Sequence, residues 1–392
     1  MDPRAERRPR AAPRVADVVV IGGGIIGCAA AAMMADRGAR VVLVERTAIG
    51  AGASGRNLGA VQHPFDPVLA PLHRESLTRY QALAAGSDGT FAIGARPAGL
   101  LLLNHDPEAA AAQAERLRDM YPELEPELIA DDELTELEPA LAPGPWAVRL
   151  ETGYPIPPAS ATEAWASIAE ERGAHVVTGM AATPSIEGGL VRGVTLDEGS
   201  TVAADAVLVA AGPWSGGLLD PAGGWNRIQP TYGVTVQLRL DGEAPSHILE
   251  EDDVDGVNRA AAATARAAVT AQGDDPPSLF SMASAGGLST VGSTFLPSEP
   301  DAARISPLLL RRAAAYLPAV AEAEIVGRRL CARPQSIDGR PFVGPLGVEG
   351  LYVCAGHGPW GISTGPATAA IVARAILDGT VPPLELDATR TI

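Results

Sequence analysis

The chain has 392 residues, too many for one simple core, and its composition is that of a globular protein, with 46% hydrophobic and 20% charged residues. Its net charge of −17 argues against binding to nucleic acid or to anionic membrane surfaces. All 30 basic residues are arginines, so a lysine Schiff base and a lysine general base are both excluded.

The cysteines and the first residues bear on the cellular compartment. Cys28, Cys331 and Cys354 are an odd number without close spacing, which argues against a disulfide framework and against a zinc site. A reducing cytoplasm fits this pattern best. Residues 1–15 are rich in arginine and proline and predict a disordered tail. The apolar run that follows contains three consecutive glycines, which is unlike a signal peptide or a membrane span.

The first predicted elements form a βαβ unit, in the stretch DVVVIGGGIIGCAAAAMMADRGARVVLVER. Gly22, Gly24 and Gly27 form a G-x-G-x-x-G pattern between strand and helix, and Glu45 ends the second strand at about the 20-residue distance typical of dinucleotide sites. The glycines would let a pyrophosphate approach the helix N-terminus, while the Glu45 carboxylate would hold a ribose diol. The alternative is a Gly-rich turn in an α/β domain that binds nothing.

A second loop of small residues, RTAIGAGASGRNLGAV, follows the ribose-binding strand. It could close over the pyrophosphate, with Ser54 and backbone amides as donors and Arg56 as a charge partner. The alternative is a solvated surface loop.

Strand and helix signals of the same kind return in the middle and at the end of the chain, in SATEAWASIAEERGAHVVTGM, DAVLVAAGPWS and GLYVCAGHGPWGISTGPATAAIVARAILDG. The α/β domain is therefore predicted to be discontinuous. It covers 16–85, 151–227 and 328–392, and an antiparallel-sheet domain is inserted as 86–150 and 228–327.

Alternating stretches in the inserted part, such as YGVTVQLRL, predict strands. SLFSMASAGGLSTVGST predicts a hairpin that turns at Gly286 and Gly287. Residues 258–277 are biased in composition and predict a helix or a loop.

Six segments together resemble the D-amino acid oxidase (DAO) superfamily of flavoproteins, in its glycine oxidase and sarcosine oxidase branch: VVVIGGGIIGCAAA, VVLVER, GASGRNLG, VLVAAGPWS, RPQSIDGRPFVGP and GHGPWGIST. They follow the family's order over residues 16–380, and the resemblance is weakest in 86–150 and 240–285. It implies an α/β fold in which a Rossmann-like FAD-binding domain of the glutathione reductase type is interleaved with an antiparallel-sheet α+β substrate domain. It also implies FAD as the cofactor and an oxidase or dehydrogenase of amines or amino acids.

The resemblance implies FAD contacts along the whole chain. Ala182 resembles the position against the adenine, and Gly212 belongs to an Ala-Gly turn near the pyrophosphate. GHGPWGIS resembles the loop under the isoalloxazine ring, where a helix from about Thr364 could face the negative charge of the reduced flavin. The implied cofactor residues are Gly22, Gly24, Ile25, Ile26, Gly27, Glu45, Arg46, Ser54, Gly55, Arg56, Asn57, Leu58, Gly59, Ala182, Ala211, Gly212, Trp214, Cys331, Asp338, Gly356, Gly358, Trp360, Gly361, Ile362 and Ser363.

Three residues are candidates for the catalytic site. Arg333 matches the family arginine that clamps the substrate carboxylate through a bidentate pair, the alternative being an ordinary salt bridge. Tyr232 is near where relatives place substrate-facing residues, although most of them have another residue before that glycine. His357 either touches the flavin or is structural.

Cys331 stands seven residues before Asp338, as does the cysteine that bonds covalently to the flavin in monomeric sarcosine oxidases. Glycine oxidases instead combine the Arg-Pro step found here with a small residue at that place. Cys331 is therefore predicted either to form a thioether to FAD or to be a buried, unreactive thiol.

The implied reaction is hydride transfer from the carbon next to an amine to flavin N5, which gives an imine. Sarcosine oxidase-like relatives use a lysine to activate oxygen, and this chain has none, so the expected partners are a small amine or amino acid and either oxygen or an electron-accepting protein or quinone. A flavin monooxygenase is disfavoured because AGHGPWG stands where such enzymes carry Gly-Asp-Ala, and a nicotinamide-dependent reductase would need a second nucleotide fold. The flavoprotein subunit of a heteromeric amine dehydrogenase and a non-catalytic structural subunit are the remaining alternatives.

Overall fold

The computed structural model describes residues 12–252 and 278–392. In these residues the helices are α1 Ile25–Asp36, α2 Leu69–Gly86, α3 Pro107–Met120, α4 Asp131–Leu137, α5 Ser160–Glu171, α6 Ser215–Leu219, α7 Ala302–Tyr316 and α8 Gly361–Asp378.

The strands of the first half of the chain are β1 Val18–Ile21, β2 Val41–Glu45, β3 Ala60–Val61, β4 Leu100–Asn104, β5 Glu127–Ile129, β6 Trp146–Leu150, β7 Tyr154–Pro155, β8 His175–Thr178 and β9 Ala182–Glu187. Those of the second half are β10 Leu190–Leu196, β11 Thr201–Ala203, β12 Ala206–Val209, β13 Ile228–Arg239, β14 Ile248–Glu251, β15 Ser278–Ala285, β16 Leu288–Thr294, β17 Glu324–Ser336, β18 Phe342–Pro345 and β19 Leu351–Ala355.

Six strands form a sheet in the order β18-β19-β12-β1-β2-β8, and all neighbours are parallel except β18 and β19. The central strand β1 has β2 on one side and the much later β12 on the other. In an open α/β sheet a crevice forms outside the carboxyl ends of the strands at such a point. The glycine turn after β1 therefore lies where a ligand is expected.

Both faces of this sheet are covered, which explains the unbroken apolar run of β1. Val18 and Val20 pack in a core with α1, α5 and α8, while Val19 and Ile21 pack against the three-stranded antiparallel sheet β11-β10-β9. A helix layer on one face and a small antiparallel sheet on the other confirm the predicted fold class.

The second large sheet has eight strands in the order β17-β13-β16-β15-β14-β4-β6-β5. Its neighbours are antiparallel except β14 and β4, which are parallel. Residues of α4 and α7 share a core with one face of this sheet. Part of the other face lines a cavity between the two sheets.

The hairpin of β15 and β16 is confirmed. Ala285 pairs with Leu288, and Gly286 and Gly287 between them have φ angles of 62° and 76°. A two-residue turn with two positive φ angles matches the right-handed twist of the strands and favours glycine at both positions.

The structure differs from the sequence expectation at the boundary placed at residue 328. Residues 328–336 were assigned to the FAD-binding part, but they belong to β17, which pairs with β13 in the eight-stranded sheet. The motif RPQS thus lies in the eight-stranded sheet, because the pairing with β13 continues through it. The other domain boundaries stay a prediction.

The prediction of a disordered tail at residues 1–15 is wrong for Arg14 and Val15. The backbone N–H of Ala203 donates to the Arg14 carbonyl, and Val15 bridges to Ala203, so the chain is already paired to the edge of the small sheet there. Residues 1–11 lie outside the described part, as does the segment 258–277, for which a helix or a loop was predicted.

Candidate active site

A cavity of about 720 Å³ extends from the carboxyl ends of β1, β2 and β12 to the face of the eight-stranded sheet. It brings together the predicted site residues Gly22, Gly24, Ile25, Ile26, Glu45, Arg46, Ser54, Arg56, Asn57, Leu58, Ala182, Ala211, Gly212, Trp214, Tyr232, Cys331, Arg333, His357, Gly358, Trp360, Gly361, Ile362 and Ser363. The predicted residues Gly27, Gly55, Gly59, Asp338 and Gly356 lie outside its lining.

The glycines of the first turn have different roles. Gly22 has a φ of 117°, and a Cβ there would stand 2.4 Å from the carbonyl oxygen of Ala210. A Cβ on Gly27 would stand 2.0 Å from the carbonyl oxygen of Gly22. Gly22 therefore lets the turn pack against the residue after β12, and Gly27 lets α1 pack against the turn, while Gly22 and Gly24 also line the cavity.

Helix α1 begins at the cavity without a side-chain cap on its N-cap residue, Gly24. The Ile25 N–H donates to Ser54 Oγ at 3.0 Å. The first N–H groups of any helix have no partner within the helix, and they favour an anion. This end of the cavity thus fits a pyrophosphate.

The Glu45 carboxylate is fixed beside this turn by three donors. Its Oε2 accepts from the Gly23 N–H at 2.7 Å, and its Oε1 accepts from the N–H and the hydroxyl of Thr47, both at 2.9 Å. In these contacts Oε2 accepts only one hydrogen bond and can accept another, so a ribose hydroxyl can still bind there.

The second loop is held mainly by Asn57. The Asn57 side-chain N–H₂ donates to the carbonyls of Ser54 at 2.6 Å and Pro158 at 3.1 Å, and its Oδ1 accepts from the Gly59 N–H at 2.7 Å. Arg56 donates to the Leu330 carbonyl at 3.1 Å, which ties the loop to β17. In the described contacts Asn57 thus shapes the loop that borders the cavity.

Arg46 and Trp214 form a stacked pair in the lining, with the Arg46 guanidinium carbon 3.8 Å from the ring centroid. Both side chains are exposed. A cation over an indole ring is a favourable contact, and the pair presents a flat surface at the rim of the cavity.

Arg333 lies across Gly233, where a Cβ would stand 2.4 Å from one guanidinium nitrogen. It donates to the Thr294 carbonyl at 2.9 Å and to the Ser293 hydroxyl, and its guanidinium carbon is 4.6 Å from the centroid of the Phe295 ring. In residues 12–252 and 278–392 its hydrogen bonds go only to neutral oxygens. Burial lowers the pKa of Arg333, but a guanidinium stays cationic at neutral pH.

Cys331 faces the same cavity two residues earlier on β17, and 4% of it is exposed. Burial raises the pKa of its thiol, while Arg333, Arg56 and Arg329 lower it to a smaller extent. The thiol is therefore protonated at neutral pH. The pKa of Arg329 is itself lowered to about 10 by burial.

His357 is 1% exposed, and its Nε2 lies 2.8 Å from the Thr368 hydroxyl of α8. Burial lowers the pKa of His357 to about 3, so the imidazole is neutral. Tyr232 lines the cavity, and its backbone exchanges hydrogen bonds with Leu296 at 2.7 and 2.9 Å.

The loop before α8 and the first turn of this helix line the cavity. The helix begins at Gly361, three residues before the predicted Thr364, and its N-cap, Trp360, makes no side-chain hydrogen bond. The Tyr80 hydroxyl donates to the Ile362 carbonyl at 2.8 Å and anchors this turn from α2. A second helix N-terminus thus borders the cavity and favours negative charge there.

Sequence reasoning missed the polar residues that the eight-stranded sheet contributes: Thr235, Glu250, Ser281 and Ser293, together with Gln62 from the other half. Gln62 Nε2 donates to Glu250 Oε1 at 3.0 Å. No motif marks either residue. Glu250 is followed by Glu251 and Asp252, so the sequence does not single it out.

In the described part of the chain, no three His, Cys, Asp or Glu side chains are grouped as metal ligands. No described helix combines the length and the hydropathy that crossing a membrane requires.

Comparisons with known proteins cover nearly the whole chain. Residues 17–375 match the family model described as FAD dependent oxidoreductase. Glycine oxidase from Geobacillus kaustophilus (strain HTA426) is 29% identical over 384 residues, which cover 91% of this chain and 92% of the relative.

Solved structures match to a similar extent. The glycine oxidase from Bacillus cereus ATCC 14579 superposes with a TM-score of 0.80 at 25% identity and covers 93% of this chain and 96% of its own. The glycine oxidase from Geobacillus kaustophilus superposes with a TM-score of 0.81 at 24% identity, and the match covers 97% of this chain and 100% of the other. Both sheets, and not the glycine motif alone, are therefore shared with these enzymes.

Proposed function

The chain belongs to the family of FAD dependent oxidoreductases, and we propose that it oxidises the C–N bond of a small amino acid or carboxylate-bearing secondary amine to an imine. Its being an FAD-dependent oxidoreductase follows from the family. The substrate class rests on one observation: Arg333 points a cation into the cavity, and its described hydrogen bonds go only to neutral oxygens.

FAD supplies the hydride acceptor when it is bound. The residues that would hold it are Glu45, at a ribose, and the N–H groups at the start of α1, at the pyrophosphate. The uncapped start of α8 would stabilise negative charge at the other end. These groups fit the cofactor because each can form a further hydrogen bond beyond those it makes within the protein.

Arg333 would bind the substrate carboxylate. A guanidinium has more N–H donors than the two that Ser293 and Thr294 take up, so a bidentate pair with a carboxylate is available. The same two contacts prevent the side chain from rotating. A fixed carboxylate in turn restricts where the adjacent carbon and amine can lie, and positioning of this kind is a large part of what hydride transfer needs.

The proton balance needs no protein base. The reaction requires the neutral amine, and His357 is held neutral by burial with its Nε2 on Thr368. An ammonium substrate gives its proton to water first. Loss of hydride from the neutral amine would leave an iminium ion, which loses a proton to water or is hydrolysed by it. The acceptor that reoxidises the flavin is oxygen or an electron-accepting partner, and the sequence has no lysine to assist oxygen.

The test is a screen of the purified yellow protein without air. We expect glycine, sarcosine, proline or another small carboxylate-bearing amine to bleach the flavin, while matched amines without a carboxylate do not. Bleaching by simple amines alone would contradict the role of Arg333. A protein that binds FAD and is bleached by no amine would support the non-catalytic subunit. Formation of hydrogen peroxide in air would separate an oxidase from a subunit that needs a partner as acceptor.

A further inference from the structure

The eight-stranded sheet aligns a row of polar side chains under the cavity. Thr235 pairs with Gly292, Gly292 with Ser281, and Ser281 with Glu250, across β13, β16, β15 and β14. Directly opposed residues of neighbouring antiparallel strands place their side chains on the same face. Thr235, Ser281 and Glu250 accordingly all line the cavity.

Glu250 ends this row, and Gln62 joins it from the opposite half of the molecule. The Gln62 N–H donates to Ser363 Oγ at 3.0 Å, so its backbone is attached to the first turn of α8. Its side-chain Nε2 donates to Glu250 Oε1 at 3.0 Å. Both halves of the protein thus fix this one side chain.

The contact with Glu250 decides which way the Gln62 amide points. Oε1 of Glu250 accepts from the Nε2 of the amide, so this nitrogen faces Glu250. The amide oxygen is then turned away from the carboxylate. This oxygen is buried, Gln62 is 6% exposed, and in the described residues the oxygen has no donor. A buried acceptor without a donor is costly, which suggests that a ligand provides one.

The strand that carries Glu250 and the strand that Arg333 contacts are two spacings apart in the sheet. The Arg333 guanidinium is bound to Ser293 and Thr294 on β16, and Glu250 is on β14, with β15 between them. Two strand spacings are roughly 10 Å. An α-amino acid that gives one hydrogen bond at its amine and receives one at its carboxylate spans about the same length, given hydrogen bonds of about 2.9 Å at each end.

We propose that the Gln62 amide oxygen accepts a hydrogen bond from the substrate amine, and that Glu250 positions this amide. The inference rests on the proposed function, because it assigns the amine end of the substrate that Arg333 holds by its carboxylate. An N–H bonded to Gln62 fixes rotation about the C–N bond. The pocket then selects carboxylates that carry an N–H donor over carboxylates of the same shape without one.

A pair of ligands of the same shape tests this hydrogen bond, and because sarcosine also carries an ammonium charge, the decisive comparison is between the wild type and the Gln62 variants. Sarcosine and methoxyacetate have the same chain length and the same carboxylate, but an ether oxygen replaces the amine and has no hydrogen to donate. Binding is measured by calorimetry on the FAD-loaded protein without air. If sarcosine reduces the flavin, its affinity is taken from the concentration dependence of the reduction rate.

We expect the wild type to bind sarcosine about 5- to 100-fold more tightly than methoxyacetate, because the ether leaves the buried acceptor unpaired. Gln62→Leu should reduce this preference to about one while methoxyacetate binding changes little. Gln62→Asn withdraws the acceptor by one methylene and serves as a second variant should the leucine disturb folding. Gln81→Leu, at an exposed position of α2, is the control.

Glu250→Gln tests the positioning role. A glutamine at 250 can donate as well as accept, so the Gln62 amide loses its fixed orientation and the preference for sarcosine should fall in part. Arg333→Ala should weaken both ligands together, since both carry the carboxylate. A structural role of Glu250 alone would instead weaken both ligands equally.

The outcomes separate the inference from the proposed function. If sarcosine reduces the flavin but binds no more tightly than methoxyacetate, the inference is wrong and the proposed function stands. If the wild type binds sarcosine more tightly than methoxyacetate and Gln62→Leu abolishes this difference, but no amine reduces the flavin, the proposed function is wrong and the inference stands. Equal loss of both ligands in Gln62→Leu, or no binding of either ligand to the wild type, also overturns the inference.

Discussion

The two large sheets build their sides of the cavity in different ways. On the six-stranded side, one βαβ unit within residues 18–45 supplies the glycine turn, the start of α1 and Glu45. On the eight-stranded side, Thr235, Ser281 and Glu250 come from three strands and meet only through their register. The first side is local in sequence, and the second is assembled from distant segments.

This difference explains why a sequence motif predicts one kind of binding site and not the other. A phosphate at a helix N-terminus constrains consecutive residues, because the turn, the missing Cβ atoms and the free N–H groups are neighbours in the chain. A substrate pocket on an antiparallel sheet constrains residues that are neighbours only across strands. Cofactor binding and substrate selection should therefore be separable by mutation, and the following experiments test that separation.

The largest effect is expected on the substrate side, at Arg333. Loss of one partner of a buried charge pair costs roughly 2–5 kcal/mol, so Arg333→Ala should lower kcat/KM about 30-fold to several thousand-fold. FAD affinity should not change. Arg333→Lys keeps the charge but loses the fork, and we expect an intermediate loss. Arg328→Ala, at an exposed position of the same strand, is the control. A variant at 333 that loses FAD would show that the two sides are not separable.

On the cofactor side, Glu45→Ala should weaken FAD binding by about 1–3 kcal/mol, about 5- to 150-fold, because the ribose hydroxyls lose their acceptor. Titration of the apoprotein with FAD measures this, and Glu171→Ala, exposed at the end of α5, is the control. The kcat of the FAD-saturated variant should stay close to that of the wild type. Unchanged FAD affinity would remove Glu45 from the site.

Where the two sides meet, buried histidines should make stability depend on pH. His63 and His73 have ring centroids 5.5 Å apart, and His63 is 5.1 Å from the ring of Tyr121 on the substrate side. Burial lowers the pKa of His63 to about 4 and that of His73 to about 3. In the unfolded chain the imidazole pKa values are near 6.5, so between about pH 6.5 and 4 these histidines are protonated in the unfolded chain but not in the folded one.

The free energy of unfolding should therefore fall as pH falls from about 6.5 towards 4, by up to about 1.4 kcal/mol per pH unit for each histidine. Urea unfolding at several pH values measures the slope. His73→Leu should make it shallower, whereas His105→Gln, at an exposed position, should not. An identical slope in His73→Leu would show that this ring does not titrate on unfolding.

The smallest effect is expected at Cys331, which lies between the two sides. Because burial keeps its thiol protonated, we expect FAD to be released completely when the protein is denatured in acid, and Cys331→Ser to retain the cofactor. Flavin that stays in the precipitate of the wild type, but not in that of Cys331→Ser, would contradict this and establish a thioether.

Much of the site was predictable from motifs, and the exceptions have physical reasons. Gly27 was predicted as a cofactor residue but packs under the turn, since its pattern reports backbone proximity and not ligand contact. Asn57 belongs to a family motif, yet its described hydrogen bonds go to the loop. Gln62 and Glu250 were not predicted because a single glutamine carries no pattern and because Glu250 stands beside Glu251, from which the sequence does not distinguish it.

The sequence by itself determined the βαβ unit, the hairpin at Gly286 and Gly287 and the flavoprotein family, because each depends on short segments whose periodicity, turn chemistry or motif is local. Only the tertiary structure decided that residues 328–336 belong to the eight-stranded sheet, that Arg333 lies across Gly233, and that Gln62 meets Glu250. These features depend on strand register and on side chains brought together from distant segments, which no local pattern encodes.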